Sequence, residues 1–128
     1  MRILLIELDM SSEIPIYLQL RNQIVLGIAY QKLLTNEILP TVRQMAQDTG
    51  INSMTVNKAY NLLKNQGFIE IDRRHGATVS KIENKDKLYQ DKLYKEFELI
   101  IAEGKISGLS KSQIINICEN LYNQMNNS

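Results

Sequence analysis

The stretch Thr41–Val79, TVRQMAQDTGINSMTVNKAYNLLKNQGFIEIDRRHGATV, constrains the fold most. Two short helical patterns meet at Gly50, and a strand–turn–strand pattern follows. Ala46, Gly50 and Val56 stand four and then six residues apart. That spacing lets two helices cross tightly. Ala46 is small enough to admit the second helix, Gly50 takes a left-handed turn after the first, and Val56 fills the space between them. The pattern predicts a helix-turn-helix followed by a β-wing.

Local signals agree with it. Pro40 disfavours helix at Leu39 and marks a restart. Thr41-x-x-Gln44 reads as a capping box, with the Thr hydroxyl on the Gln44 N–H and the Gln side chain reaching back. Val42, Met45 and Ala46 face inward on a helix ending at Asp48-Thr49-Gly50. Ile51 is the buried turn residue, and Asn52 or Ser53 caps the next helix. Val56, Ala59, Tyr60 and Leu63 form its inner face, and Gln66-Gly67 stops it. Phe68–Ile71 and Ala77–Ser80 alternate as two strands joined by a hairpin loop, Asp72-Arg73-Arg74-His75-Gly76.

The flanks follow the same logic. Ile3–Leu8 reads as a short strand that packs onto the fold, or pairs with a sheet edge or with the C-terminal region of a second subunit. Pro15 opens a helix to about Lys32, striped by Ile16, Leu20, Ile24 and Ile28 with Tyr17 and Val25 alongside. Leu33–Pro40 is a connector, with Asn36 suited to a left-handed turn. Past Lys81, Glu83–Lys87 is a polar linker or a first helical turn. A helix from Leu88 to Gly104 carries Leu93, Phe97, Ile100 and Ile101 as its apolar stripe. After a break at Ser107-Gly108-Leu109, Ser110-x-x-Gln113 makes a second capping box. It opens a helix to about Gln124 bearing Ile114, Ile117, Cys118 and Leu121, and Asn126–Ser128 is a frayed tail. So apolar a pair of helices does not bury itself alone, which implies a partner chain. The expected fold is mainly α with a small β-wing: a winged helix-turn-helix over 1–82 and a short αα-hairpin for dimerisation over 83–128.

Composition narrows the function. One His and one Cys in unrelated segments leave no catalytic set, no metal-ligand spacing and no phosphate-cradling loop. The expectation is a protein that is not an enzyme and needs no metal or cofactor. A lone cysteine, Cys118, permits no intrachain disulfide and sits on an apolar helix face as a core-type residue. The longest apolar run, Ile3–Ile6, is too short to span a bilayer, and no signal-peptide pattern follows it. A cytoplasmic setting is expected. Residues 30–82 hold seven basic and four acidic groups, net +3, whereas 1–29 and 83–128 are each net −1. Positive charge on the winged segment suits docking on phosphate.

The second helix of the motif is the candidate for entering a major groove, where its N-terminal residues meet base edges. Ser53, Met54, Thr55, Asn57 and Lys58 occupy that end. Arg43 on the preceding helix can reach phosphate or a base edge, or pair with Glu37 or Asp48 instead. Arg73 and Arg74 at the hairpin tip suit phosphate. His75 is either a solvated loop residue or a wing contact.

Residues Pro15–Lys81 resemble the GntR family of bacterial winged-helix transcription regulators. The resemblance rests on Pro15-Ile16-Tyr17-x-Gln19-Leu20, on Leu39-Pro40-Thr41-Val42-Arg43-Gln44-Met45-Ala46, and on Gly50-Ile51-Asn52. It continues through Thr55-Val56-x-x-Ala59-Tyr60-x-x-Leu63, Gly67-Phe68-Ile69 and Gly76-Ala77-x-Val79. The short tail with Gly108-Leu109-Ser110 is similar to the YtrA subfamily, whose C-terminal part is a small helical dimerisation unit. The resemblance implies DNA contacts at Arg43, at Ser53–Lys58 and at the wing around His75 and Gly76. It departs from the family at the start of the recognition helix, where an arginine often stands and this chain has Ser53, Met54 and Asn57.

These readings converge on a sequence-specific transcriptional regulator, a repressor, acting as a homodimer on double-stranded DNA with a near-palindromic operator. The rival is a winged-helix module that binds protein and no DNA. A small-molecule effector is a further candidate partner, although a tail of about 40 residues cannot enclose a large ligand within one subunit.

Overall fold

The computed structural model of the chain describes residues 6–81 and 87–126. The chain divides into two compact units at Lys81–Ile82.

In the first unit, α1 (Ile16–Ala29), α2 (Val42–Thr49) and α3 (Ser53–Asn65) precede a two-stranded antiparallel sheet, β1 (Ile69–Asp72) and β2 (Gly76–Val79). Pro15 caps α1, its fixed φ suiting the last residue before the helix. The helix ends at Ala29, earlier than the expected Lys32. Gln31 turns left-handed at φ 60°, and the N–H groups of Lys32 and Leu33 return to the Gly27 carbonyl at 2.9 and 3.1 Å. That closure satisfies the end of the helix and stops its propagation. Thr41 caps α2 through a 3.0 Å bond from the Gln44 N–H to its hydroxyl. The reciprocal half of the box does not form: the Gln44 side chain turns one turn on, where its Nε2–H donates to Asp48 Oδ1 at 2.7 Å, and its oxygen does not accept from the Thr41 N–H. Gly50 leaves α2 at φ 74°. Asn52 caps α3, its side chain accepting from the Met54 N–H at 2.8 Å.

The core lies among these three helices and the sheet. Leu20, Ile24, Val56, Ala59 and Leu63 are fully buried, and Met45, Ile69 and Val79 nearly so. Burying each of the larger aliphatic side chains contributes about 1.5–3 kcal/mol. Ile51 is buried in the α2–α3 turn, as its position predicts. Tyr60 is buried too, and its hydroxyl donates to the Pro40 carbonyl at 2.7 Å, tying α3 to the turn that launches α2. Burial pushes the Tyr60 phenol well above its ordinary range, so it stays a donor.

The wing pairs Ile69 with Val79 through Asp72 with Gly76. Each strand is shifted one residue from expectation, so the loop is Arg73-Arg74-His75, closed by Gly76 at φ 69° as three-residue hairpins require. The connector does more than connect. Ile38 bridges Thr78, with Leu39 N–H to the Ala77 carbonyl at 2.8 Å and Val79 N–H to the Glu37 carbonyl at 2.9 Å. This one-residue third strand covers the inner edge of β2. Asn36 does turn left-handed, at φ 67°.

Of the expected N-terminal strand, 3–5 lie outside the described residues and Ile6–Leu8 pair with no strand. Side chains of α1 hold this segment instead. Gln23 exchanges bonds with the backbone N–H and carbonyl of Glu7, and Gln19 accepts from the Asp9 N–H at 2.9 Å while donating to the carbonyls of Asp9 and Ile14. A carboxamide has the donor and acceptor of a peptide group, so the two glutamines take the place of a paired strand.

In the second unit, α4 (Lys87–Ile106) runs two residues past Gly104, and α5 (Lys111–Asn126) takes in Asn126 of the expected tail. Most of the expected linker, 83–86, lies outside the described residues. Here both halves of the capping box form: the Gln113 N–H donates to the Ser110 hydroxyl at 3.1 Å, and the Ser110 N–H to the Gln113 side chain at 2.8 Å. Gly104 marks a close approach. A Cβ there would stand 3.4 Å from Leu109 and 3.5 Å from Ile114. No described residue of either helix is buried.

Candidate nucleic-acid interface

Two elements present the candidate residues of the first unit. Gly50 and the Asn52 cap set α3 so that Val56, Ala59, Tyr60 and Leu63 point inward. Ser53, Met54, Asn57 and Lys58 are then exposed, and Thr55 is half-buried. Met54 is 81% exposed, an uncommon position for a large apolar side chain in the first turn of a helix.

Arg43, near the start of α2, is exposed and makes no ion pair among the described residues. Neither acid proposed as its alternative partner pairs with it. Asp48 accepts from Gln44, and one Glu37 oxygen accepts from the Leu34 N–H at 3.2 Å while the other is buried with no hydrogen-bond partner among the described residues. The guanidinium is therefore available to an external anion.

Lys58 is held in a way that sequence reading did not anticipate. Its ammonium lies 4.0 Å from the centroid of the Tyr17 ring on α1, a cation–π contact. The contact holds the ammonium beside α1, and Lys58 remains exposed. Tyr17 appeared in sequence as a flank of the α1 stripe. Its place beside Lys58 depends on how α1 and α3 cross, which no local pattern encodes. Arg21, one turn on, stacks over Phe68 at 5.4 Å and donates to Gln66 at 2.9 Å, so its charge serves packing within the unit.

At the wing, Arg73, Arg74 and His75 are exposed and Gly76 is half-buried. Asp72 shapes the tip. One of its oxygens accepts from the N–H groups of Arg74 at 2.8 Å and His75 at 2.6 Å, and the other lies 3.3 Å from His75 Nδ1. The His75 backbone bond is the main cause holding the Asp72 carboxyl below its ordinary range. The tip is thus a fixed loop, with Arg73 and Arg74 making no ion pair among the described residues. Its acid caps the backbone and leaves their guanidiniums outward.

The candidates for assembly are in the second unit. Leu93, Phe97, Ile100, Ile101, Ile117, Cys118 and Leu121 are all exposed. Ile114 is half-buried and packs at the Gly104 notch. Among the described residues no three His, Cys, Asp or Glu side chains gather as a metal site, and no helix is long and apolar enough to cross a membrane.

Comparison with known proteins accords with this geometry. Residues 15–79 match the family model described as bacterial regulatory proteins, gntR family. The HTH-type transcriptional regulator YhcF of Bacillus subtilis (strain 168) is 35% identical over 107 residues, 82% of this chain and 88% of that protein. The structure of YtrA from Sulfolobus acidocaldarius, a GntR-family transcription factor, is 33% identical, with a TM-score of 0.64 over 76% of this chain and 97% of that one. The DNA-binding domain of AraR, solved in complex with operator ORX1, is 28% identical, with a TM-score of 0.52 over 58% of this chain and 92% of that one. The chain belongs to the gntR family of bacterial regulatory proteins and is a transcriptional regulator carrying a DNA-binding helix-turn-helix.

Proposed function

We propose that the protein is a homodimeric repressor that binds a near-palindromic operator, one winged unit in each half-site, with the αα-hairpins forming the dimer. The exposed apolar surface of the second unit carries this reading. Phe97 is 50% exposed, Ile100 64% and Leu121 47%, on helices with no fully buried residue among those described. Exposed apolar side chains in this number suit an association site. Two-fold pairing presents two copies of α3, and half-sites then repeat at roughly 34–36 Å or a multiple of it. Arg43, the first residues of α3, Lys58 and the Arg73–Gly76 tip are the assigned contacts. Occupying an operator by a compact dimer blocks other proteins from it, which is the simplest route to repression.

Electrophoretic mobility of duplex from the gene's own upstream region tests the reading against a protein-interaction module, which would ignore DNA at low salt. Arg43→Ala and Lys58→Ala should each weaken binding and flatten the salt dependence by about one unit of log–log slope per lost phosphate contact. An unchanged slope sinks their assigned roles.

A further inference from the structure

The outer face of α3 carries a row of amides. Asn57, Asn61 and Asn65 recur every four residues and line one shallow groove with Met54 and Lys58. All three are exposed, and none of their side-chain amides is bonded within the protein among the described residues. Nothing in the fold needs them there, since α3 is already held by its buried inner face. The helix has no Arg, Gln, Asp or Glu at any position. Its cation nearest the row, Lys58, is drawn onto the Tyr17 ring.

Base chemistry gives that surface a preference. In the major groove adenine offers an N7 acceptor beside an N6 donor, which one carboxamide matches with two hydrogen bonds. Thymine offers a methyl group, which an apolar side chain covers. Guanine offers two acceptors, best matched by Arg or Lys, and cytosine a donor suited to a carboxylate. An exposed face of Asn and Met, without Arg or acid, is complementary to A·T pairs and poor for G·C pairs. We infer that α3 selects A·T pairs in the half-site it enters, with Asn57 and Asn61 on adenine edges and Met54 against a thymine methyl. Asn65 stands about 12 Å along the axis from Asn57, in the last turn of α3, and falls to the DNA backbone. The inference rests on the reading of α3 as the helix that enters the groove.

The test starts with full-length protein and a pool of randomised duplexes, followed by sequencing of the retained fraction. Selected half-sites should contain A·T pairs that Asn57→Ala/Asn61→Ala no longer enriches. Both asparagines are exposed, so the variant should fold as the parent does, which circular dichroism checks. Its affinity for unselected duplex at low salt should fall less than its affinity for the selected duplex. On the selected duplex, 7-deazaadenine at those positions removes N7 and should weaken binding about tenfold. Uracil in place of thymine removes the methyl group and should weaken it less. G·C pairs at the positions that the double variant relaxes, or A·T enrichment that survives in that variant, would overturn the inference while leaving DNA binding intact. No retention of any duplex at low salt would overturn the groove-entry reading, and the inference with it.

Discussion

The two units solve the burial of apolar side chains in opposite ways. The winged unit closes on itself: Leu20, Ile24, Val56, Ala59 and Leu63 have no exposed surface, and Tyr60 spends its hydroxyl on the Pro40 carbonyl. The hairpin unit closes on nothing. It caps α5 with both halves of a box and seats Ile114 at Gly104, yet leaves Phe97 and Ile100 half or more uncovered. Its local signals are as good as those of the winged unit, and only its tertiary burial is missing. Most helical stability in proteins comes from packing an apolar face against something else. The proposed dimer supplies the missing half of the hairpin's core, and the winged unit needs no such help.

Charges placed on the hairpin should break this contrast most visibly. Phe97→Asp or Ile100→Asp is expected to split the proposed dimer, read by sedimentation, and to lower operator affinity about 10²-fold or more through lost two-site binding. Near-UV and fluorescence signals of the winged unit should persist. Leu63→Ala probes the other side. It should cost the winged unit about 2–5 kcal/mol in denaturant unfolding at fixed protein concentration, without changing the assembly state. Next in size, Tyr60→Phe leaves the Pro40 carbonyl without its donor and should cost about 1 kcal/mol. The smallest effect is local and pH-dependent. Asp72 has a depressed carboxyl pKa in the folded tip, so its cap is fully present above the ordinary carboxylate range and is lost as pH falls through the depressed value. Amide exchange at Arg74 and His75, corrected for intrinsic rates, should then lose protection, with the remaining wing amides less affected.

The contrast also explains what could be read from the sequence. The helices, their caps at Thr41 and Asn52 and the inward set on α3 were legible because they follow from 3.6-residue periodicity and from backbone groups a few residues away. Three features were not. The Ile38–Thr78 bridge is one residue long and has no alternation to detect. The grip of Gln19 and Gln23 on the N-terminal segment and the seat of Lys58 on Tyr17 join residues from 10 to 41 positions apart, so they exist only once the elements are placed. Gln44 shows the limit of motif reading even locally, since its side chain turns toward Asp48 and not back to the Thr41 N–H. In the interface, exposure of Arg43 and the first turn of α3 was predictable from the inner face opposite them. The free state of Arg43 was not, because whether Asp48 or Glu37 reaches it depends on how α2 and the connector are placed.

In the proposed assembly the hairpin surface joins two copies of the chain. The mass of the full-length protein in solution, measured by sedimentation equilibrium from nanomolar to micromolar concentration, tests it directly. A species of twice the chain mass is expected at micromolar concentration, reduced to a single chain by Ile100→Asp. A single-chain mass across the whole range, or a dimer that Phe97→Asp and Ile100→Asp both leave intact, would contradict it.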